Sequence, residues 1–281
     1  RIFTLKSSTF LWDLLHLSNP IRFIMSASEQ PVQPIALKHL AIVTTPDGFL
    51  FYDVEQPGLS ALSLSLEAPI DFPDHFEQYV TASGWAQEPS LRVSISQHTD
   101  RFMVLPAGIN EPDQIRSLFE TAFIKGSGAD LSLFPMSDGK QAFCCELPSA
   151  NLEAYKRTFA QFAVFNPTFL MAEWVFREAR TRQETLLLAY QYGQSLHMMA
   201  ASPEKWLFLN AFTAKTEQET LYFTLRVLEQ LNLDPFTVQA YIGSPYQTPS
   251  PLYEALEPYL KERTPFVYTG LPEAPVCSIV I

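Results

Sequence analysis

The sequence predicts an α/β fold with α+β mixed sheets, built by internal duplication, and three observations carry that expectation. One order of elements, strand, strand, strand, helix, strand, occurs twice about 145 residues apart, a spacing far longer than a solenoid repeat. The strands are short apolar runs divided by Gly and Pro turns. Finally, 281 residues with 47% hydrophobic and only 17% charged side chains can fill a large core, and at roughly 150 residues per unit they suggest two units.

The first copy starts at His39. It reads HLAIVTT, the turn Pro46-Asp47-Gly48, FLFYDVE, the turn Gln56-Pro57-Gly58, and ALSLSLEA, which is the pattern of an antiparallel meander. In DFPDHFEQYVTAS, residues Phe72, Phe76, Tyr79 and Val80 fall at i, i+4, i+7 and i+8, so a helix follows, and LRVSISQ is a buried strand. The second copy has TLLLAYQ and SLHMMAA around Gly193, then KWLFLNAF, a helix over 216–231 and the strand FTVQAYIGS. That helix opens TEQET, where Thr216 and Glu219 fit a capping box. Between the copies the sequence predicts a strand RFMVLPAG, a helix EPDQIRSLFETAF, a hairpin turning at Asp138-Gly139, a helix NLEAYKRTFAQF and a second helix over 168–182. Arg177, Arg180 and Arg182 near the end of that last helix complement its dipole.

The expected boundaries are an N-terminal extension at 1–36, flexible and dispensable at least through residue 24, a first half at 37–182 with the inserted hairpin and helices, and a second half at 183–281. Residues 1–24 hold basic and apolar residues, but Asp13 and Arg22 interrupt them and no small-residue cleavage site follows, which argues against a signal peptide. No apolar run approaches the ~20 residues of a membrane span. The uncharged run at 276–281 is expected to pair as a strand, with an apolar docking edge as the alternative.

RFMVLPAG with its helix, FCCELPSANLEAYKRTF, and WLFLNAFTAKTEQETLYFTLRVLEQLNLD followed by YIGS and PLYEALEPYL together resemble an uncharacterised bacterial family with an actin-like ATPase fold. The resemblance implies a duplicated actin-like, ribonuclease H-like, two-half architecture facing a cleft. In working members of that fold an Asp-x-Gly turn holds metal and phosphate, and later glycines admit adenine. Here the first-half turn puts Asp47 directly beside Gly48 after Pro46, which lacks an amide donor. The second-half turn carries Gln191 in the carboxylate position, bulky Tyr192 and then Gly193. Gly243 stands alone where a glycine pair is expected. A magnesium site needs carboxylate oxygen, so these departures argue against a nucleotide site.

Other chemistry lacks residues. A net charge of -11 opposes nucleic acid and anionic membranes. Lys125-Gly126-Ser127-Gly128 is not a Walker loop. His16, His39, His75, His98 and His197 stand at separations that match no metal-ligand pair, and Ser195 and His197 are too close along a strand for a nucleophile and base. Cys144, Cys145 and Cys277 form no redox or zinc pattern and suit a reducing compartment. The expectation is a cytoplasmic, non-catalytic scaffold or regulator with an unknown protein partner, no nucleic acid, no membrane span, no metal and no cofactor. The alternative is a nucleotide-binding protein or slow ATPase using ATP with magnesium.

Overall fold

The computed structural model describes residues 24–25, 39–46, 48–53, 62–65, 72–88, 90–123, 130–245, 249–266, 268 and 279–280. In chain order the elements are β1 (Ile24–Met25), β2 (His39–Thr45), β3 (Gly48–Asp53), β4 (Leu62–Ser65), α1 (Phe72–Ala82), β5 (Arg92–Ser96), β6 (Phe102–Pro106), α2 (Pro112–Ala122), β7 (Asp130–Pro135) and β8 (Gln141–Leu147). They continue with α3 (Ser149–Thr158), β9 (Ala163–Phe165), α4 (Pro167–Arg182), β10 (Leu186–Tyr192), β11 (Ser195–Ala201), β12 (Trp206–Thr213), α5 (Glu217–Gln230), β13 (Gln239–Gly243), α6 (Pro251–Ala255), β14 (Arg263–Phe266) and β15 (Ile279–Val280).

Two sheets share one strand order. The first runs β4-β3-β2-β5-β9, with β1 outside β4, and the second runs β12-β11-β10-β13-β14. In both, three antiparallel strands are followed by two parallel ones. This is the mixed-sheet order of an actin-like, ribonuclease H-like half, present twice. A third sheet, β15-β7-β8-β6, is built from β6, β7 and β8, which are inserted between β5 and β9, with β15 from the second half pairing at its edge.

Alternation along the central strands explains the layering. Leu186, Leu188, Tyr190 and Tyr192 of β10 point into one apolar cluster, while Leu187 and Ala189 point into another. A strand buried on both faces reads as a continuous apolar run, which is why TLLLAY lacks polar alternation. In the first half, Leu40 and Ile42 pack with α1 and α3 on one face of the sheet. On the other face, Val43 and Leu50 join Met171, Ala172, Val175 and Phe176 of α4 and the inner face of β10. Helix α4 therefore lies between the two sheets, and α5 and α6 cover the far side of the second. The inserted sheet packs through Phe102, Phe134 and Phe143 on Phe169, with Leu209 and Ala211 of β12 beside it.

Several sequence expectations meet the structure here. The capping box is formed: Thr216 Oγ1 accepts from the Glu219 amide at 3.2 Å, and Glu219 accepts from the Thr216 amide at 3.2 Å. At the end of α4, Arg182 bonds Glu178 at 3.3 Å, and the guanidinium of Arg180 lies over the Phe176 ring. The predicted helix NLEAYKRTFAQF is shorter than expected. It stops at Thr158 and Phe159 turns extended, and beyond the expected helix 163–165 pairs in parallel with β5. Val164 and Phe165, β-branched and aromatic, fit a half-buried edge strand. Ile24 and Met25 pair with β4, and Ile279 and Val280 pair with β7. The rest of the expectations for 1–36 and 276–281 lie outside the described residues. Among the described residues no helix is long and apolar enough to cross a membrane.

Candidate functional site at the junction of the two halves

Both expected phosphate turns are tight hairpins. Thr45 pairs with Gly48, so β2 and β3 are joined by Pro46 and Asp47; Asp47 lies outside the described residues. Tyr192 pairs with Ser195, leaving Gly193 and Gln194 as the loop, and Gly193 has φ 56. A positive φ at the first of two loop residues is the pattern of a type II′ turn, which requires the glycine for its backbone and not for space. Gln191 donates from Nε2 to the Gly193 carbonyl at 3.1 Å and lies 3.4 Å from Thr220 Oγ1, so its amide is engaged inside the protein. Gly243 is enclosed: a Cβ there would lie 2.3 Å from the Phe266 carbonyl oxygen and 2.8 Å from Tyr190 Cε2. Close packing under an aromatic ring explains the lone glycine.

Gln191 and Gly193 come together at a cavity of about 300 Å³ that also contacts Lys215, Thr216, Glu217 and Ser244. Among the described residues, none of the first-half turn lines it. The N-terminus of α5 opens into this cavity, but its capping box already engages the Thr216 and Glu219 amides, and Glu217 and Glu219 occupy its first turn. Two carboxylates at a capped helix start disfavour an anion there.

The densest polar cluster lies beside these turns and joins the halves. Asp100 and His98 follow β5, while Ser195 and His197 belong to β11. His98 Nε2 is 3.2 Å from His197 Nε2 and 3.2 Å from Asp100 Oδ1. His197 Nε2 is 2.8 Å from the same Oδ1 and 3.0 Å from Ser195 Oγ, and Ser195 donates to Oδ1 at 2.5 Å. On its far side, His197 Nδ1 is 2.6 Å from Thr168 Oγ1 at the start of α4. The His98 amide donates to Thr44 Oγ1 at 2.7 Å, and its ring packs 4.3 Å from that of Tyr192. Gln97 braces this segment: its Oε1 accepts from Tyr155 at 2.5 Å and Asn151 at 3.3 Å, and its Nε2 donates to the His98 carbonyl at 3.1 Å. Ser96 reaches Tyr268 of the second half at 2.9 Å.

Burial pushes the Asp100 carboxyl up, but hydrogen bonds and charge from His197 and His98 outweigh it and hold the group well below the usual carboxylate range. Burial pushes His197 down to about 4, with Asp100 opposing, so its imidazole is neutral near pH 7. The arrangement is not a hydrolytic triad. A triad places the carboxylate and the nucleophile on opposite ring nitrogens, whereas Asp100 and Ser195 both meet Nε2 and Nδ1 faces Thr168. Sequence spacing missed this cluster, because His98 and His197 are 99 residues apart and come together only when the halves pack. The Ser195 and His197 pair, two apart on β11 and not expected to act as nucleophile and base, does approach to 3.0 Å. A bulge-free buried strand would send both side chains to one face, and that was the available signal.

Strand order and paired turns define an actin-like ATPase fold. Among solved structures, the chain is similar to a protein from Bacteroides thetaiotaomicron with that fold and unknown function, at 13% identity and a TM-score of 0.67, covering 81% of this chain and 90% of that one. The chain belongs to the family described as Protein of unknown function (DUF3822), whose model matches residues 28–262. It also has some likeness to the PilM-PilN type IV pilus biogenesis complex, at 10% identity, a TM-score of 0.49 and coverage of 83% and 89%. Another likeness is to the cytoplasmic domain of EpsL, an inner membrane component of the type II secretion system of Vibrio cholerae, at 12% identity, a TM-score of 0.47 and coverage of 82% and 90%. At these scores neither of the latter two bears on function. No curated protein matches the chain.

Proposed function

We propose that this protein is a non-catalytic actin-like scaffold or regulator that works in the cytoplasm by binding another protein. The observation that carries this reading is the bridging of the two turn-bearing strand pairs by protein side chains. Thr44, one residue before the end of β2, holds His98, and His98 packs on Tyr192 and His197, which flank the second turn. In working actin-like ATPases the turns beside these residues hold phosphate and metal. Here the strands next to those turns pack on each other, and Gln191 offers a neutral amide already engaged with the Gly193 carbonyl. The cavity beside Gln191 favours the alternative of a divergent site for ATP with magnesium, but Glu217 at its rim and the capped start of α5 oppose phosphate.

A protein partner is supported by aromatic exposure on the second half. Phe236 is 67% exposed and Tyr259 is 43% exposed, and their loops are joined by the Lys261 amide donating to the Pro235 carbonyl at 3.3 Å. Exposed aromatics of this kind serve as interface anchors. Co-purification of the full chain from its native cell, followed by mass spectrometry, is expected to recover a stoichiometric partner that the double variant Phe236→Ala, Tyr259→Ala loses while keeping its fold. Equal recovery by both chains contradicts that surface; no stoichiometric partner contradicts the reading.

A further inference from the structure

We infer that His98, Asp100 and His197 form a zinc site that clasps the first half of the molecule to the second, with the Ser195 hydroxyl closing the shell. Ligand atoms on bonds of about 2.0–2.1 Å in a tetrahedron stand ~3.3 Å apart. His98 Nε2, His197 Nε2 and Asp100 Oδ1 are separated by 3.2, 3.2 and 2.8 Å, and Ser195 Oγ is 3.0 Å from His197 Nε2. The three ligand atoms are therefore preset near the corners of a zinc polyhedron, drawn slightly inward, and Ser195 Oγ, 2.5 Å from Asp100 Oδ1, takes the fourth corner by moving outward from that hydrogen bond.

Hydrogen bonding alone serves these atoms poorly. Asp100 Oδ1 is approached by Ser195 Oγ and by both imidazole nitrogens. If both Nε2 atoms carry protons, two N–H groups crowd one oxygen while lying 3.2 Å from each other. If only one does, the other nitrogen can accept from it at 3.2 Å but still turns its lone pair toward the Asp100 carboxylate oxygen. A shared cation removes the conflict, since all the converging atoms can then offer lone pairs.

The surroundings match a metal shell. Thr168 Oγ1, 2.6 Å from His197 Nδ1, can accept that N–H and leave Nε2 free to ligate, the role outer partners take around metal-bound histidines. Thr44 and Gln97 fix the backbone of His98 from both sides. The rings of Tyr192 and Phe102 close the inner side, at 4.3 Å from His98 and 5.6 Å from His197, which suits a four-coordinate ion better than a six-coordinate one. The Asp100 side chain is 49% exposed and provides the way in. Two imidazoles and one carboxylate select a first-row transition ion over magnesium or calcium. The site stands independently of the partner reading, because its ligands come from neither exposed aromatic loop.

The test uses the full chain without a histidine tag. After dialysis against zinc, elemental analysis is expected to find about one zinc per chain, and added zinc is expected to raise the melting temperature. Cobalt is expected to give the visible absorption of a tetrahedral site, while magnesium and calcium leave the melting temperature unchanged. Asp100→Asn and His98→Gln are expected to bind zinc about tenfold or more weakly and to lose the cobalt signal. Equal zinc retention by wild type and Asp100→Asn, or no retention by wild type, overturns the proposal. Because His98 is buried, its variant can fail to fold; half-exposed Asp100 supplies the second variant, and absence of tetrahedral cobalt absorption in the wild type overturns the proposal without either.

Discussion

At Gly243 a single added methyl group has no room: its carbon would meet the Phe266 carbonyl oxygen at 2.3 Å and Tyr190 Cε2 at 2.8 Å. Both neighbours are held within the second sheet, so relief must come from a shift of β14 or rotation of a fully buried ring. Gly243→Ala is expected to cost about 2 kcal/mol, read as a lower urea midpoint, whereas an unchanged midpoint would show that the Tyr190 ring yields freely. The sequence singled out this glycine as the residue where adenine would enter. Its real constraint comes from a backbone carbonyl 23 positions away and a tyrosine 53 positions away, distances at which no local pattern operates. Cysteine chemistry was more legible. Cys144 and Cys145 are free and buried, as their place in an apolar run suggests. Burial pushes the Cys144 thiol from 9.0 up to about 12, and the Tyr52 phenol from 10.0 to about 12. The folded state holds these protons more tightly than the unfolded chain, so the stability they confer is complete below 9.0 and lost as pH rises toward about 12. Melting temperature is expected to decline over that alkaline window. Iodoacetamide should also leave a Cys277→Ser chain unlabelled until denaturant is added; labelling of the folded chain would place these thiols within reach of solvent.

Among the elements, those with strong punctuation were readable. The second meander, its capped helix and the Asp138-Gly139 hairpin occur where turn chemistry and periodicity put them. Thr216 and Glu219 satisfy each other's backbone amides at the start of α5. Thr216→Ala is expected to lower stability by about 1 kcal/mol, with Thr216→Ser restoring nearly all of it, as measured by chemical denaturation. An alanine variant as stable as the parent would mean that packing in the second core, and not the cap, fixes this helix end. Strand β9 was hidden because its three residues follow an amphipathic helix without a Gly or Pro break. Only pairing with β5 makes it a strand, and pairing is a tertiary fact.

For the whole molecule, the duplicated order of elements was legible because each sheet repeats the same short-turn meander before its helix. The joining of the halves was not. Asp100, His98, Ser195 and His197 look ordinary along the chain, and their chemistry exists only after α4 brings β5 and β11 together. The same packing places Tyr192 and His98 between the turns that bind nucleotide in working actin-like ATPases. The central proposal is that these turns serve the protein's own packing in place of a magnesium-nucleotide site and that the protein acts through a partner. Isothermal titration of magnesium-ATP into the full chain tests it most directly. The expected result is no saturable heat at nucleotide concentrations in the millimolar range of cells; saturable binding at micromolar levels, with magnesium-dependent turnover abolished by Asp47→Ala, would contradict it.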